Sequence, residues 1–360
     1  MRQFFHMDGL MEHLINNDSL SSQSSGSKKI RWGILGTGKI ANKFASEFSH
    51  TASAELAAVA SRNLERARSF ACAHQIPKAY GSYNELLNQE DIDIVYIGLV
   101  NSAHYPVTRQ ALLADKPVLC EKPFTLHTEQ TEELILLARQ KNLFLMEGLW
   151  TRTFPVINRV KEIISSQKYG NVTLAQMDFG FIGNLDPNGR LMNPELGGGA
   201  LYDVGIYSLT TAQYFLGDIT EFQAMASLSR TGVDTRVLIQ AQHRSGTLSV
   251  LHASIDTASQ KEAYLFMEQA TIHIPCPFWK PPVASCTIHG GGIGSSPNTP
   301  VETQTISAPY SGNGFEFEIE HVSQCLRDGL KESPKMPLME TLQTARMIEK
   351  IRSNWKIVHV

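Results

Sequence analysis

Three groups of residues in this sequence have the types and spacing to do chemistry. The first is Gly36-Thr37-Gly38-Lys39-Ile40-Ala41, a G-x-G-x-x-A run between an apolar segment and a helix-like one. In such a run the first glycine permits a tight turn and the second lets backbone approach a pyrophosphate. The small last residue lets helix and strand pack closely. The helix N-terminus then offers unpaired N–H groups to the anion. Alone, the run also fits an ordinary strand–helix turn; at the head of an alternating strand–helix series it points to a dinucleotide. An NAD site puts a carboxylate near the tip of the second strand to hold the ribose 2′-hydroxyl. Here that tip reads Val59-Ala60-Ser61-Arg62-Asn63, with no carboxylate. Ser61 and Arg62 suit a 2′-phosphate, the guanidinium being a bidentate partner, so NADP is favoured and NAD remains open. The plainer alternative makes Arg62 a solvated residue ahead of a helix.

The second group is Lys122, just past an apolar strand-like segment and fixed against Pro123. The C-terminal edge of a parallel sheet is where open α/β folds bind ligands. The third is Asp203 and Tyr207, four residues apart and so on one face of a predicted helix. Hydride transfer needs a nicotinamide, a carbon held near it and a proton donor or acceptor for the substrate oxygen. An ammonium favours developing alkoxide charge. A phenol, with a reference pKa of about 10, can protonate an alkoxide. A nearby ammonium would lower that pKa and make the phenolate a usable base in reverse. On residues alone, Lys122 also fits a surface lysine and Tyr207 a core aromatic beside Tyr202 and Tyr214.

Alternating elements must position these groups. Lys29–Leu35 reads as a strand and Lys39–Phe48 as a helix with Ile40, Phe44 and Phe48 on one face. Strand Ala54–Ala60, helices Leu64–His74 and Tyr83–Leu87, and the buried strand Ile92–Leu99 follow. Helix 104–114, strand Pro117–Cys120, helix 128–140 and strand Leu143–Met146 complete a doubly wound α/β Rossmann domain, residues 28–147. Beyond Trp150 the rhythm changes. Helix 154–166, strand Val172–Gly180 and a helix at 200–216 precede strands Glu221–Leu228, Asp234–Gln242, Thr247–Ile255, Glu262–Met267 and Thr271–Pro275. Turns this short force antiparallel pairing. Residues 148–335 are therefore an α+β domain with one large, mostly antiparallel, open-faced sheet that carries substrate and oligomer contacts. Residues 289–300 read as a loop, and Gly314–Leu330 and Pro337–Arg352 as terminal helices, with 336–360 a C-terminal helix and tail. Residues 1–27 read as a mobile, serine-rich tail without the apolar core of a signal peptide.

The run Val118-Leu119-Cys120-Glu121-Lys122-Pro123, taken with the glycine turn, resembles the Gfo/Idh/MocA oxidoreductase family, of which E-K-P after a strand is a hallmark. Three further segments resemble its trans-1,2-dihydrobenzene-1,2-diol dehydrogenase branch: Glu147–Pro155 (EGLWTRTFP), Gly197–Tyr207 (GGGALYDVGIY) and Ile274–Trp279 (IPCPFW). The likeness runs from about residue 29 to 352. It implies a cis Lys122–Pro123 peptide that aims the lysine inward. It also implies Tyr207 as acid/base, Lys122 as its electrostatic partner and Asp203 as orienter, with Lys122 the alternative proton donor. Cofactor contacts are implied for Leu99, Asn101, His104, Glu121, Trp150 and Arg152, and a substrate pocket for Tyr105, Trp150 and Phe154. The bland alternatives are a structural His104, an interdomain-core Trp150 and a salt-bridged Arg152. The chain departs from the pattern at Leu99-Val100, where Thr-Pro is common, at His127 for Asn, at Gly148 for Ala and at Thr153 for an aromatic. The last change reshapes the pocket wall and leaves aromatic-diol specificity open. The function implied is hydride exchange between NADP and a diol, hydroxy ketone or sugar-like carbonyl. An inositol, deoxysugar or anhydrosugar dehydrogenase is the enzymatic alternative. A dinucleotide sensor is the non-catalytic one, with no chemical need to keep Lys122, Asp203 and Tyr207 together.

Composition bounds the rest. The 360 residues carry 32 Lys plus Arg against 35 Asp plus Glu, a formal charge of −3, so no basic excess exists for nucleic acid. No apolar run reaches the ~20 residues of a membrane span. The five cysteines show neither a disulfide framework nor zinc-ligand spacing, and no His pair reads as a metal site. A cytoplasmic location fits. Apolar residues such as Phe222, Val237, Ile239 and Leu248, if on the outer sheet face, call for a second subunit, giving a homodimer or homotetramer.

Overall fold

The computed structural model describes residues 28–290 and 299–358. The tail at 1–27 and most of the 289–300 loop lie outside the described residues.

Six strands form the first sheet: β1 (Ile30–Leu35), β2 (Ala54–Ala60), β3 (Lys78–Tyr80), β4 (Ile94–Ile97), β5 (Val118–Glu121) and β6 (Leu145–Gly148). All pair in parallel, in the order β3-β2-β1-β4-β5-β6. Every residue of β4 and β5 is buried, as expected of central strands covered on both faces. Helices α1 (Lys39–Ser46), α2 (Leu64–His74), α3 (Tyr83–Leu87), α4 (Asn101–Leu113) and α5 (Thr128–Gln140) make the crossovers. Strand order reverses between β1 and β4, so the loops leaving those two strands diverge and open a crevice.

The second sheet follows α6 (Pro155–Ser166). It contains β7 (Val172–Gly180), then, after α7 (Ile206–Leu216), β8 (Ile219–Leu228), β9 (Asp234–His243), β10 (Leu248–Ser254), β11 (Ala263–Met267), β12 (Ala270–Ile274), β13 (Val283–Gly290) and β14 (Thr299–Ser307). After α8 (Phe315–Arg327) and α9 (Leu338–Asn354), β15 (Lys356–Val358) closes the edge. The order is β14-β13-β12-β11-β7-β10-β9-β8-β15. Pairing is antiparallel except for β7 with β10 and β8 with β15. α6 and α7 pack on one face.

Strand alternation corrects the expected outer face. Val237 and Ile239 are buried in the core under the helices, and Phe222 packs against that core. Leu248 does face outward, 55% exposed, with Leu238 and Met225. The period of two sends the β-branched residues of β9 inward and Leu238, Gln240 and Gln242 outward. β3 and β15 are illegible in the sequence because three residues carry too little pattern, and β13 and β14 because small and polar residues interrupt their apolar alternation. Both terminal helices return to the first domain. Trp32 Nε1 on β1 donates to Ser323 Oγ on α8 at 3.1 Å. Leu338 and Leu342 of α9 join the core beneath α5.

Candidate active site

The glycine turn lies at the crevice. Gly36 adopts φ +110°, a conformation that favours glycine. A Cβ there would stand 2.7 Å from Leu99 Cδ2 and 2.8 Å from the Gly98 carbonyl, so Leu99 forms the floor of the turn. Gly38 precedes α1 in extended backbone, and no side chain caps that helix. Its first N–H groups are therefore available to an anion. Thr37 is half-buried, Gly38 and Lys39 are exposed, and Ile40 packs on the core. Beside the turn, Gly36 N–H donates to the Ala60 carbonyl at 2.9 Å, which sets Ser61 and Arg62 next to it. Ser61 is buried; Arg62 is exposed and forms no ion pair among the described residues. These residues fit a dinucleotide, with a cation and a hydroxyl where the ribose 2′ substituent would sit.

Lys122 follows β5, and its peptide to Pro123 is cis, as is Cys276–Pro277. Lys122 Nζ donates to the Asp203 main-chain carbonyl at 2.6 Å and lies 3.7 Å from Asp203 Oδ1. It also stands 5.0 Å from the centroid of the Tyr207 ring. Asp203 sits in a single wide π turn, Leu201–Gly205, that leads into α7. Such widenings are frequent at functional sites. Sequence spacing and tertiary contact thus agree that Lys122, Asp203 and Tyr207 meet.

Sequence reasoning missed a fourth member. Arg190 Nη1 donates to Asp203 Oδ1 at 2.8 Å from the polar segment before the triple glycine. Burial pushes the Asp203 carboxyl up, but Lys122 and Arg190 outweigh it and hold its pKa below the usual range. No spacing or motif marks Arg190.

The acidity of Tyr207 corrects an expectation. Burial, first, and then the charges of Glu121 and Asp203 drive its pKa well above 10, despite the ammonium over its ring. The ammonium meets the ring face, whereas the low-dielectric surroundings penalise the phenolate itself. Tyr207 is therefore held in its protonated form. The buried Trp150 Nε1 exerts the opposing pull on it without completing a hydrogen bond. Phe179 and Trp279, stacked at 3.8 Å, line the same side of Tyr207. This places the I-P-x-P-F-W segment in the cleft wall.

Several residues with implied ligand contacts have protein partners of their own. Arg152 is 2% exposed. It pairs with Glu340 on α9 at 2.7 Å, donates to the Thr210 carbonyl at 3.3 Å and lies over the Tyr214 ring. Its guanidinium ties α7 and α9 together. Phe154 is fully buried among Trp150, Tyr310 and Phe317, so it lines no pocket. Tyr105 turns to α5, its hydroxyl donating to Glu133 at 2.5 Å, because its position on α4 faces outward. His104 is buried with its ring nitrogens 2.8 Å from the Pro123 carbonyl and 3.2 Å from the Leu99 carbonyl. Burial lowers its pKa to about 4. It braces the backbone on both sides of the crevice. Glu121 accepts from Tyr96 OH at 2.7 Å and from the Lys122 N–H at 3.2 Å, so its carboxylate is engaged from within. Asn101 donates to the Gly197 carbonyl at 2.8 Å and docks the glycine segment on α4. Trp150 stacks on Phe315 at 4.2 Å, which makes it interdomain core with one edge at the site.

Among the described residues no group of three His, Cys, Asp or Glu side chains could hold a metal ion, and no helix is long and apolar enough to cross a membrane.

Comparison with known proteins places this geometry. Residues 30–149 match an oxidoreductase family with an NAD-binding Rossmann fold, and residues 157–273 match the GFO/IDH/MocA C-terminal domain. The chain is 36% identical to trans-1,2-dihydrobenzene-1,2-diol dehydrogenase of Xenopus laevis over 89% of its length and 96% of the relative's. Against the Homo sapiens enzyme of the same name it is 33% identical, over 90% and 96%. Its fold is shared with a 3-ketoreductase from Actinomadura kijaniata in complex with NADP and TDP-benzene. The TM-score is 0.80, the identity 24%, and the coverage 92% of this chain and 100% of the other. It is shared too with the aldose-aldose oxidoreductase from Caulobacter crescentus, with a TM-score of 0.80, 25% identity and coverage of 91% and 97%. A Rossmann domain with an uncapped glycine turn, joined to an open-faced mixed sheet that brings Asp203 and Tyr207 to Lys122, makes this chain a member of the Gfo/Idh/MocA family of NAD(P)-dependent oxidoreductases.

Proposed function

We propose that this protein is an NADP-dependent dehydrogenase or reductase acting on a vicinal diol, hydroxy ketone or sugar-like carbonyl. Residues 28–147 bind the dinucleotide and 148–335 carry the substrate. One observation carries the reading: at the C-terminal end of β5 an ammonium, a carboxylate and a buried phenol meet on the same sheet edge as the glycine turn. A bound nicotinamide supplies or accepts the hydride. Tyr207 gives its proton to the substrate oxygen, and Lys122 stabilises the alkoxide charge that precedes that transfer. Asp203, held ionised by Lys122 and Arg190, keeps the ammonium in place and offers an acceptor to a neighbouring substrate hydroxyl. That acceptor suits polyhydroxylated substrates. Gly36, Thr37, Gly38 and the N-terminus of α1 take the pyrophosphate, and Ser61 and Arg62 the 2′-phosphate. The diol dehydrogenase relatives support a diol; the likeness to an aldose oxidoreductase favours an aldose as second choice.

The protein acts in the cytoplasm as a homodimer or homotetramer paired through the open sheet face. Leu238, Leu248 and Met225 there are exposed, and Tyr264 and Phe266 stack beside them. A single species of about 40 kDa in light scattering would exclude that pairing. The decisive experiment titrates NADP⁺ and NAD⁺ by fluorescence, then screens diols, hydroxy ketones, aldoses and inositols with the preferred cofactor. Tighter NADP⁺ binding and turnover of one class are expected; no binding of either cofactor refutes the assignment.

A further inference from the structure

Behind Trp150 lies a buried, unpartnered carboxyl that the scheme above does not use. Glu318 is on α8, three residues beyond Phe315, so the two share a helix face. Phe315 stacks on Trp150 at 4.2 Å and meets Phe44 at 5.4 Å. Phe44 stacks on Tyr96 at 3.6 Å, and Tyr96 OH donates to Glu121. These contacts set Glu318 on the inner side of the site, close to Glu121. Glu318 is 0% exposed, and neither of its carboxyl oxygens has a hydrogen-bond partner. Trp150 Nε1, also buried, lacks one too. The charged and titratable groups that act on Glu318, or on which it acts, are Glu121 of β5, Tyr96 of β4 and Tyr207 of α7. No cation is among them. Burial and the Glu121 charge drive the Glu318 pKa far up, so it is a neutral acid. A buried carboxyl that bonds to nothing weakens a fold, so packing supplies no reason for it. The indole N–H and two carboxyl oxygens offer the polar partners that an ordered water requires.

We propose that Glu318 is an internal proton store that recharges Tyr207 through ordered water held at the Trp150 indole N–H. This rests on Tyr207 being the acid of the reaction. When the substrate oxygen takes the Tyr207 proton, the phenolate takes one back. The O–H bond of Glu318 breaks, that of Tyr207 re-forms, and the negative charge moves to the carboxylate. Solvent restores the Glu318 proton after product leaves. In the oxidative direction each transfer runs backwards, and Glu318 receives the proton the substrate gives up.

The test uses the full chain with Glu318→Gln, which keeps the shape without an exchangeable acid, and Glu318→Met, which is apolar. Both should fold, since Glu318 has no hydrogen bond to another protein group to lose. Infrared spectra of the cofactor-free protein should show a protonated-carboxyl carbonyl stretch, shifted in D2O, that both variants lose. If neither variant changes that band, there is no stored proton and the inference falls. In carbonyl reduction, Glu318→Gln should lower kcat by about 10-fold with cofactor KM unchanged. The deficit should be largest at alkaline pH and narrow as solvent protons become abundant, and Glu318→Asp should restore part of the rate. A parental kcat and pH profile in Glu318→Gln would overturn the store. Tyr207→Phe separates the two claims: if it is inactive while Glu318→Gln is fully active, only the store fails, and if it is fully active, the acid role of Tyr207 fails.

Discussion

Replacing Tyr207 with Phe removes one oxygen and nothing else of the aromatic wall. The ring keeps its neighbours Phe179 at 5.7 Å and Trp279 at 6.2 Å. The hydroxyl makes no completed hydrogen bond among the described residues, so its loss should change stability by less than about 1 kcal/mol. Its chemical loss is larger. General acid catalysis is worth roughly 10²- to 10⁴-fold. The buried position keeps bulk water from standing in for the phenol, which argues for the upper part of that range. Lys122, 5.0 Å from the ring, remains as a poorer donor, which argues for the lower. The expected fall in kcat is therefore about 10²-fold or more, at least about 2.7 kcal/mol of barrier at about 1.36 kcal/mol per tenfold. Steady-state reduction kinetics measure it, with melting curves and cofactor titrations as controls. Cofactor affinity should not move. A variant that binds cofactor and turns over at the parental rate would refute the assignment and leave Lys122 as the donor.

Arg62→Ala should weaken NADP⁺ binding by about 10- to 100-fold, the worth of a charge-assisted contact, and leave NAD⁺ binding unchanged; fluorescence titration of both cofactors checks it. Arg152→Met should destabilise the protein by about 2–3 kcal/mol in urea unfolding. That is less than for a wholly buried pair, because Glu340 is 39% exposed. A large rise in cofactor Kd with unchanged stability would instead make Arg152 a ligand. His104 has a folded pKa of about 4, below the ordinary histidine value of about 6.5. The unfolded chain therefore takes up that proton first on acidification. Stability should be complete above about pH 6.5 and fall by about 3 kcal/mol as the pH drops to about 4. His104→Gln should flatten that slope in urea melts taken across the range.

Some of this molecule is local and some is not. The glycine turn, the alternation through β6 and the Asp203–Tyr207 spacing are properties of short segments. Backbone sterics and helical periodicity leave them few alternatives, so their residues announce them. β4 is two residues shorter at each end than its sequence suggests, because apolar residues continue past the last ladder bond, as at Ile92 and Leu99. Arg152, His104 and Phe154 occur in motif positions that suggest ligand contact. Folding gives each a partner distant in the chain: Glu340 for the arginine, the Pro123 carbonyl for the histidine, the Phe317 ring for the phenylalanine.

The chain alone established a Rossmann half, a mostly antiparallel second half and a lysine at the C-terminal end of a central strand. Each follows from period, turn chemistry and strand order, which are set within a few tens of residues. Packing alone established that Arg190 clamps Asp203, that α8 and α9 return to the first domain and that the Tyr207 proton is held tightly. Burial, dielectric and long-range charge belong to the assembled core, and no stretch of sequence contains them.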